Sequence, residues 1–98
     1  MNSAKPLFQL GTIHATTRAY QALVAADLNL RDLLQRHITG DWGDTSIIGK
    51  RINSAAIALE QPIVSRYLVG EGEVLVVTEG NRSETTLLLS DEARMACL

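Results

Sequence analysis

One cysteine, two prolines and four aromatic residues in 98 positions leave several kinds of protein without their usual machinery. The lone Cys97 can close no intrachain disulfide, so the fold must rest on an apolar core, and an unpaired thiol fits the expected cytoplasmic location. No apolar run approaches the ~20 residues that a membrane-spanning helix requires, and no apolar stretch follows the basic Lys5, so neither a membrane segment nor a secretory signal is expected. Neither a His-x-x-x-His nor a Cys-x-x-Cys spacing occurs, and His14 lies far from His37, so no metal site is expected. The Gly-rich strand-to-helix turn of nucleotide-binding folds is also missing, and no cofactor is expected.

Charge of either sign is in short supply. Nine Lys and Arg against eleven Asp and Glu give a formal charge of −2. Only Arg31, Arg36, Lys50 and Arg51 could contribute to a basic face, which disfavours duplex DNA as a partner. The carboxylates are too evenly offset to form the dense acidic surface of a DNA mimic.

What is present is an ordinary globular composition, 46% hydrophobic and 20% charged, in a length that suits one domain over residues 1–98. Residues 1–6 and 93–98 are expected to be flexible. Alternation over residues 7–15 predicts a first strand, with Phe8, Leu10 and Thr12 on one side. Thr16 or Thr17 can cap a helix running to about Ala26, with Ala19, Tyr20, Leu23 and Val24 as its buried stripe. Asn29 caps the next, and Leu30, Leu33, Leu34, His37 and Ile38 recur at the helical period until Gly40 stops it. Asp44 or Thr45 is placed to cap a third helix, whose predicted buried stripe is Ile48, Ile52, Ala55, Ala56 and Leu59. Pro62 ends it. Residues 63–69, 73–78 and 85–89 then read as strands joined by short turns, which favours an antiparallel meander with residues 73–78 in the centre. The expected fold is α+β: an N-terminal strand, three helices, then a three-stranded antiparallel meander with the helices packed on one face.

The run His37-Ile38-Thr39-Gly40-Asp41-Trp42-Gly43-Asp44 concentrates the only tryptophan, a histidine, two carboxylates and two glycines where one helix ends and another begins. Each residue has two readings. His37 can pack its ring on the apolar stripe and favour the carbonyl end of the helix dipole, or serve as a general acid-base. Trp42 can enter the core or anchor a partner. Asp41 and Asp44 can start a helix and a turn, or bind. The loop from Glu79 to Ser83 adds Glu79 and Arg82. With His37 these would supply the base, acid and cation of a small RNA-cleaving site if the fold unites them. Otherwise Asn81-Arg82 is an exposed turn and Thr85 and Thr86 pair across the sheet. Shared-site readings require Arg82 to reach Asp41, Asp44 or Glu79, with His37 beside them.

Taken together, Arg36-His37, Gly40-Asp41-Trp42-Gly43-Asp44, Arg51-Ile52-Asn53, Ser65-Arg66-Tyr67, Val77-Thr78-Glu79 and Arg82-Ser83-Glu84-Thr85-Thr86-Leu87-Leu88-Leu89 resemble a family. The chain is similar, from Leu10 to about Glu92, to small bacterial plasmid-related proteins carried on plasmids and integrated elements, sometimes labelled type I restriction subunit M. The resemblance implies a mobile-element origin and not a chemistry, because the family brings no activity with it, and the restriction label does not fit a sequence without the Gly-rich strand-to-helix turn of a methyltransferase.

The leading expectation is therefore a non-enzymatic protein-interaction module of a mobile element that binds a host protein, one candidate class being host-defence proteins. Asp41, Trp42, Asp44 and Arg82 are its candidate binding residues. The alternative is a small metal-independent ribonuclease or ribonuclease-like toxin using His37, Glu79 and Arg82. A homodimer through an unpaired edge, either Leu7 to Ile13 or Thr85 to Leu89, is a further expectation.

Overall fold

The computed structural model describes residues 5–96. Cys97 and the flexibility expected at residues 1–4 and 97–98 lie outside the described residues. The chain runs β1 (Thr12–Ala15), α1 (Thr17–Ala25), α2 (Leu30–Ile38), α3 (Ile47–Leu59), β2 (Ile63–Val69), β3 (Gly72–Thr78), β4 (Glu84–Leu89) and α4 (Ser90–Ala96). This is the α+β architecture expected, with two additions: β1 joins the sheet, and α4 extends the chain after the last strand.

The sheet has the order β1-β4-β3-β2. Strands β2, β3 and β4 form the antiparallel meander, and β1 lies parallel to β4 with Thr12 opposite Glu84 and Ala15 opposite Leu87. The connection between β1 and β4 spans α1, α2, α3 and the strands β2 and β3, which is the long connection that parallel pairing demands. Of the two edges considered from the sequence, residues 85–89 are therefore interior, whereas β1, which overlaps residues 7–13 at Thr12 and Ile13, is one edge of the sheet and β2 the other.

Local chemistry sets the helix starts. Thr16 caps α1 by accepting from the Ala19 N–H, and its own hydroxyl donates to Glu92 of α4 at 2.8 Å, tying the two helix starts together. Asn29 caps α2 through the Arg31 N–H. The cap of α3 is Ser46, accepting from Gly49 N–H, and not Asp44 or Thr45. Asp44 is committed elsewhere: its N–H donates to the Arg66 carbonyl, while Arg66 N–H donates to the Trp42 carbonyl, so residues 42–44 run as a short parallel bridge beside β2. Gly43 is required there. Its φ is +70°, and a Cβ would collide with the Arg66 carbonyl oxygen and the Tyr67 ring.

Two apolar clusters lie on the helix-covered face. The larger joins Leu23, Leu33 and Leu34 to Tyr67, Val69, Val74, Val76 and Leu87. The smaller consists of Trp42, Ala56 and Ile63, with Phe8 and Ile57 against it. In α1, Ala19 and Leu23 are buried, whereas Tyr20 and Val24, expected in the same stripe, are exposed.

The greater correction concerns α3. Of the five residues read as its buried stripe only Ala56 is buried; Ile48, Ile52 and Leu59 are 72%, 60% and 66% exposed. The helix turns Asn53 inward instead, and the cause is the free edge of β2. Asn53 Nδ2 donates to the Val64 carbonyl at 2.7 Å and Oδ1 accepts from the Val64 N–H at 3.1 Å. The amide thus replaces a missing strand, and the small Ala56 permits the close approach. Leaving those backbone groups unpaired under a helix would cost about 1–3 kcal/mol each, enough to outweigh a better-buried isoleucine.

Candidate functional site

His37 sits in the last turn of α2 and its ring is fully buried between the two apolar clusters. A line of hydroxyls crosses the sheet beneath it. Nδ1 lies 2.6 Å from Ser65 Oγ, Nε2 lies 2.9 Å from Thr78 Oγ1, Thr78 Oγ1 lies 2.7 Å from Thr85 Oγ1, and Thr85 donates to the Leu10 carbonyl at 2.8 Å. The direction of this chain follows from counting protons. Thr85 spends its only hydrogen on Leu10, so Thr78 must donate to Thr85, and His37 Nε2–H must donate to Thr78. Nδ1 is then the acceptor and Ser65 its donor. The imidazole is held neutral as the Nε2–H tautomer with both nitrogens engaged. Burial pushes it down to about 4, and the charge of Arg82 acts in the same direction.

Around the ring stand Phe8, edge-on at 5.1 Å between centroids, and Trp42, edge-on at 6.0 Å; Phe8 and Trp42 are stacked at 6.2 Å. Trp42 is 5% exposed, so it enters the core as the chain reverses and presents little surface to a partner.

Arg82 closes the same cluster from the β3-to-β4 loop, with its guanidinium carbon 5.5 Å from the centre of the Phe8 ring. Its Nη1 donates to the carbonyls of Gln61 and Glu79, and Nη2 to that of Ala56. These include carbonyls at the C-terminal end of α3, where a cation complements the helix dipole. Arg82 reaches no carboxylate among the described residues. Among the described residues the ion pairs are Arg18–Asp91, Arg36–Asp41 and Arg66–Glu73.

Asp41 belongs to a neighbouring surface group. Both of its carboxylate oxygens accept from Arg36, the shorter contact being 2.7 Å, and that guanidinium holds the carboxyl below its usual range. Arg36 also lies 4.5 Å over the Tyr67 ring, whose hydroxyl donates to the Asp41 carbonyl at 2.6 Å. Burial pushes the Tyr67 phenol up to about 12.

The structure thus brings His37, Trp42 and Arg82 together around Phe8, turns Asp41 toward Arg36, and leaves the Asp44 and Glu79 carboxylates outside the cluster. Among the described residues no group of three His, Cys, Asp or Glu side chains could hold a metal ion. Sequence reasoning missed Phe8, Ser65, Thr78 and Asn53. The usable signal for Asn53 was the one amide of α3, placed on the opposite side of the helix from Ile48 and Leu59 and shortly before the strand that starts after Pro62.

The second candidate surface is the outer side of α3. Ile47 is 73% exposed, and with Ile48, Ile52 and Leu59 it forms an apolar face containing Ala55 and Arg51. An open depression beside it, lined by Ser46, Ile52, Pro62, Val64 and Arg66, leads onto the outer side of β2.

No family model, curated protein or solved structure matches the chain. Among the described residues no helix is long and apolar enough to cross a membrane.

Proposed function

We propose that this chain is a small protein-interaction module, and that the exposed face of α3 is its contact surface. The carrying observation is the set of four large aliphatic side chains, Ile47, Ile48, Ile52 and Leu59, each at least 60% exposed on one 13-residue helix. Fully burying such a side chain is worth roughly 1.5–3 kcal/mol, so a partner covering even half of this area gains several kcal/mol before binding costs. Patches of this kind on small domains mark interaction sites. The mobile-element origin and a host protein as partner, defence proteins included, belong to the same proposal.

The His37 geometry favours this reading over a ribonuclease. A catalytic imidazole needs a nitrogen that reaches substrate, whereas here one donates to Thr78, the other accepts from Ser65, and the ring is covered. A photo-crosslinking residue at position 52 is expected to give one dominant protein adduct in cells that express the chain, and the same probe at Arg31 on α2 to give none. RNA incubated with the purified protein without metal should stay intact across a broad pH range; cleavage lost in His37→Ala would reverse the order of the two readings.

Self-association through β1 is a second reading with its own observation. All four residues of β1 are exposed, and its parallel register with β4 directs the N–H and C=O groups of Ile13 and Ala15 outward. The other edge, β2, is closed by Asn53 and by residues 42–44. β1 has no lysine, proline or bulge to discourage pairing. Two copies related by a two-fold axis at His14 would satisfy all these outward groups. Sedimentation would then show a concentration-dependent dimer that Ile13→Lys removes.

A further inference from the structure

Resting on the reading of α3 as the contact surface, we infer that its occupant is an amphipathic helix of another protein that brings a carboxylate to Arg51. At about 100° per residue, Ile47 and Ile52 mark the two margins of an exposed band roughly 140° wide, and Arg51, Ala55 and Ile48 lie between them. The band is therefore not a clean apolar stripe bordered by charge: a guanidinium stands inside it. It has a shape as well. Ala55 and Ala58 are low points between the bulky N-terminal isoleucines and Leu59, a saddle across which a second helix can cross at close range.

Among the described residues Arg51, at the saddle, makes no ion pair, and Lys50 acts only at a distance on Asp41, helping to hold that carboxyl low. From Ile47 to Leu59 the helix carries Lys50 and Arg51 and no carboxylate. The nearest acidic residues in sequence, Asp44 and Glu60, lie beyond the two ends. Covering the band with a purely apolar partner would strip water from Arg51 and give nothing back. A carboxylate opposite it can accept two parallel N–H bonds from the guanidinium and converts that loss into specificity.

The same residue argues against the other occupants. An antiparallel pairing of two α3 helices about the midpoint between Ile52 and Ala55 sets the two Arg51 side chains about 7 Å apart along the axis, on the same side and with no anion between them. A helix that lies in a lipid interface keeps its cations at the polar border of its apolar face, and Arg51 is not at the border.

The test uses the full chain and defined probes. A synthetic amphipathic helix with leucines at i, i+4 and i+7 and glutamates on both flanks is titrated against the isotope-labelled protein, in parallel with a twin carrying lysines in place of the glutamates. Vesicles of mixed zwitterionic and anionic lipid, and the protein alone over a concentration series, complete the set. The glutamate peptide is expected to bind, shifting amide resonances of Ile47 to Leu59, and to bind the Arg51→Glu variant about tenfold or more weaker, while that variant gains affinity for the lysine twin. Equal binding of the two peptides would overturn the carboxylate and leave α3 standing as a contact surface. Binding of neither peptide, with the crosslinked adduct from position 52 retained in cells, would overturn the helical occupant. Loss of that adduct as well would remove the underlying reading. Self-association through α3, or vesicle binding that shifts the same amides, would replace the partner with a second copy or with a membrane.

Discussion

The His37 seam and the outer face of α3 invert what their residue types suggest. The seam contains a histidine, a serine and two threonines, the usual parts of catalytic sites, and all four are buried and spend their polar atoms on one another and on a backbone carbonyl. The α3 face contains isoleucines, a leucine and alanines, the usual parts of a core, and they face solvent. In these two regions, against the apolar clusters that form the core, the polar residues help to hold the domain together and the apolar ones are left over for something else. What decides each role is whether the group's partners are already inside the molecule: the hydroxyls find theirs, and the isoleucines do not.

The strongest way to break that comparison is to remove the ring. His37→Ala deletes a fully buried side chain and strands Ser65 and Thr78 without their partner. The expected loss of stability is roughly 3–4 kcal/mol, combining cavity and unsatisfied hydroxyl costs, a large share of the total for a domain of this size. Urea unfolding monitored by the fluorescence of Trp42, which lies against the ring, measures it directly. A loss below about 1 kcal/mol would mean that the seam is not structural.

Acid provides a gentler version of the same experiment. His37 is pushed down to about 4 in the folded protein from an ordinary 6.5, so the unfolded chain binds the extra proton first. Stability from this group is complete above pH 6.5 and falls as the pH drops toward 4. The span corresponds to roughly 3 kcal/mol. Asp41, also held low, adds a loss of the same sign at lower pH. His37→Gln should flatten the upper part of this slope. A wild-type midpoint that stays constant between pH 7 and 4.5 would contradict the assigned neutral tautomer.

How far the sequence announces this arrangement depends on how many faces of an element carry apolar residues. In α2 they fall on one side, Leu33, Leu34 and His37 are buried as the period predicts, and the Asn29 cap marks the start. The meander is legible because Pro62 and the glycine-bearing turns separate runs rich in β-branched residues. In α3 the period points to the face of Ile48, Ile52 and Leu59, but the face that is buried is the one carrying Asn53 and Ala56, and that choice is made by the backbone groups of Val64, distant in sequence. Only tertiary structure displays that requirement. The candidate site was half legible for the same reason. The chain names His37, Trp42 and Arg82, and the fold does bring them together. Phe8, the ring that joins them, comes from the stretch that alternation over residues 7–15 predicts as strand, of which only Thr12–Ala15 pairs in the sheet, so its packing against His37 is set by tertiary structure.

The sharpest test of the comparison has the smallest effects and uses two adjacent alanines. Ala56 is 1% exposed and packs with Trp42 and Ile63, whereas Ala55 is exposed beside Arg51. Ala56→Leu forces three extra carbons between α3 and β2 at the point where Asn53 must stay within hydrogen-bond reach of Val64, and should cost about 1–3 kcal/mol. Ala55→Leu adds the same carbons to the solvent side and should change stability by less than about 0.5 kcal/mol. Its effect should appear in binding instead, because a leucine there fills the saddle in which a crossing helix would sit. Thermal unfolding of the two variants, set beside peptide titration of each, separates the residues that hold the domain together from those that face its partner. Equal destabilisation by both would place the α3 band in the core and leave no surface for the proposed contact.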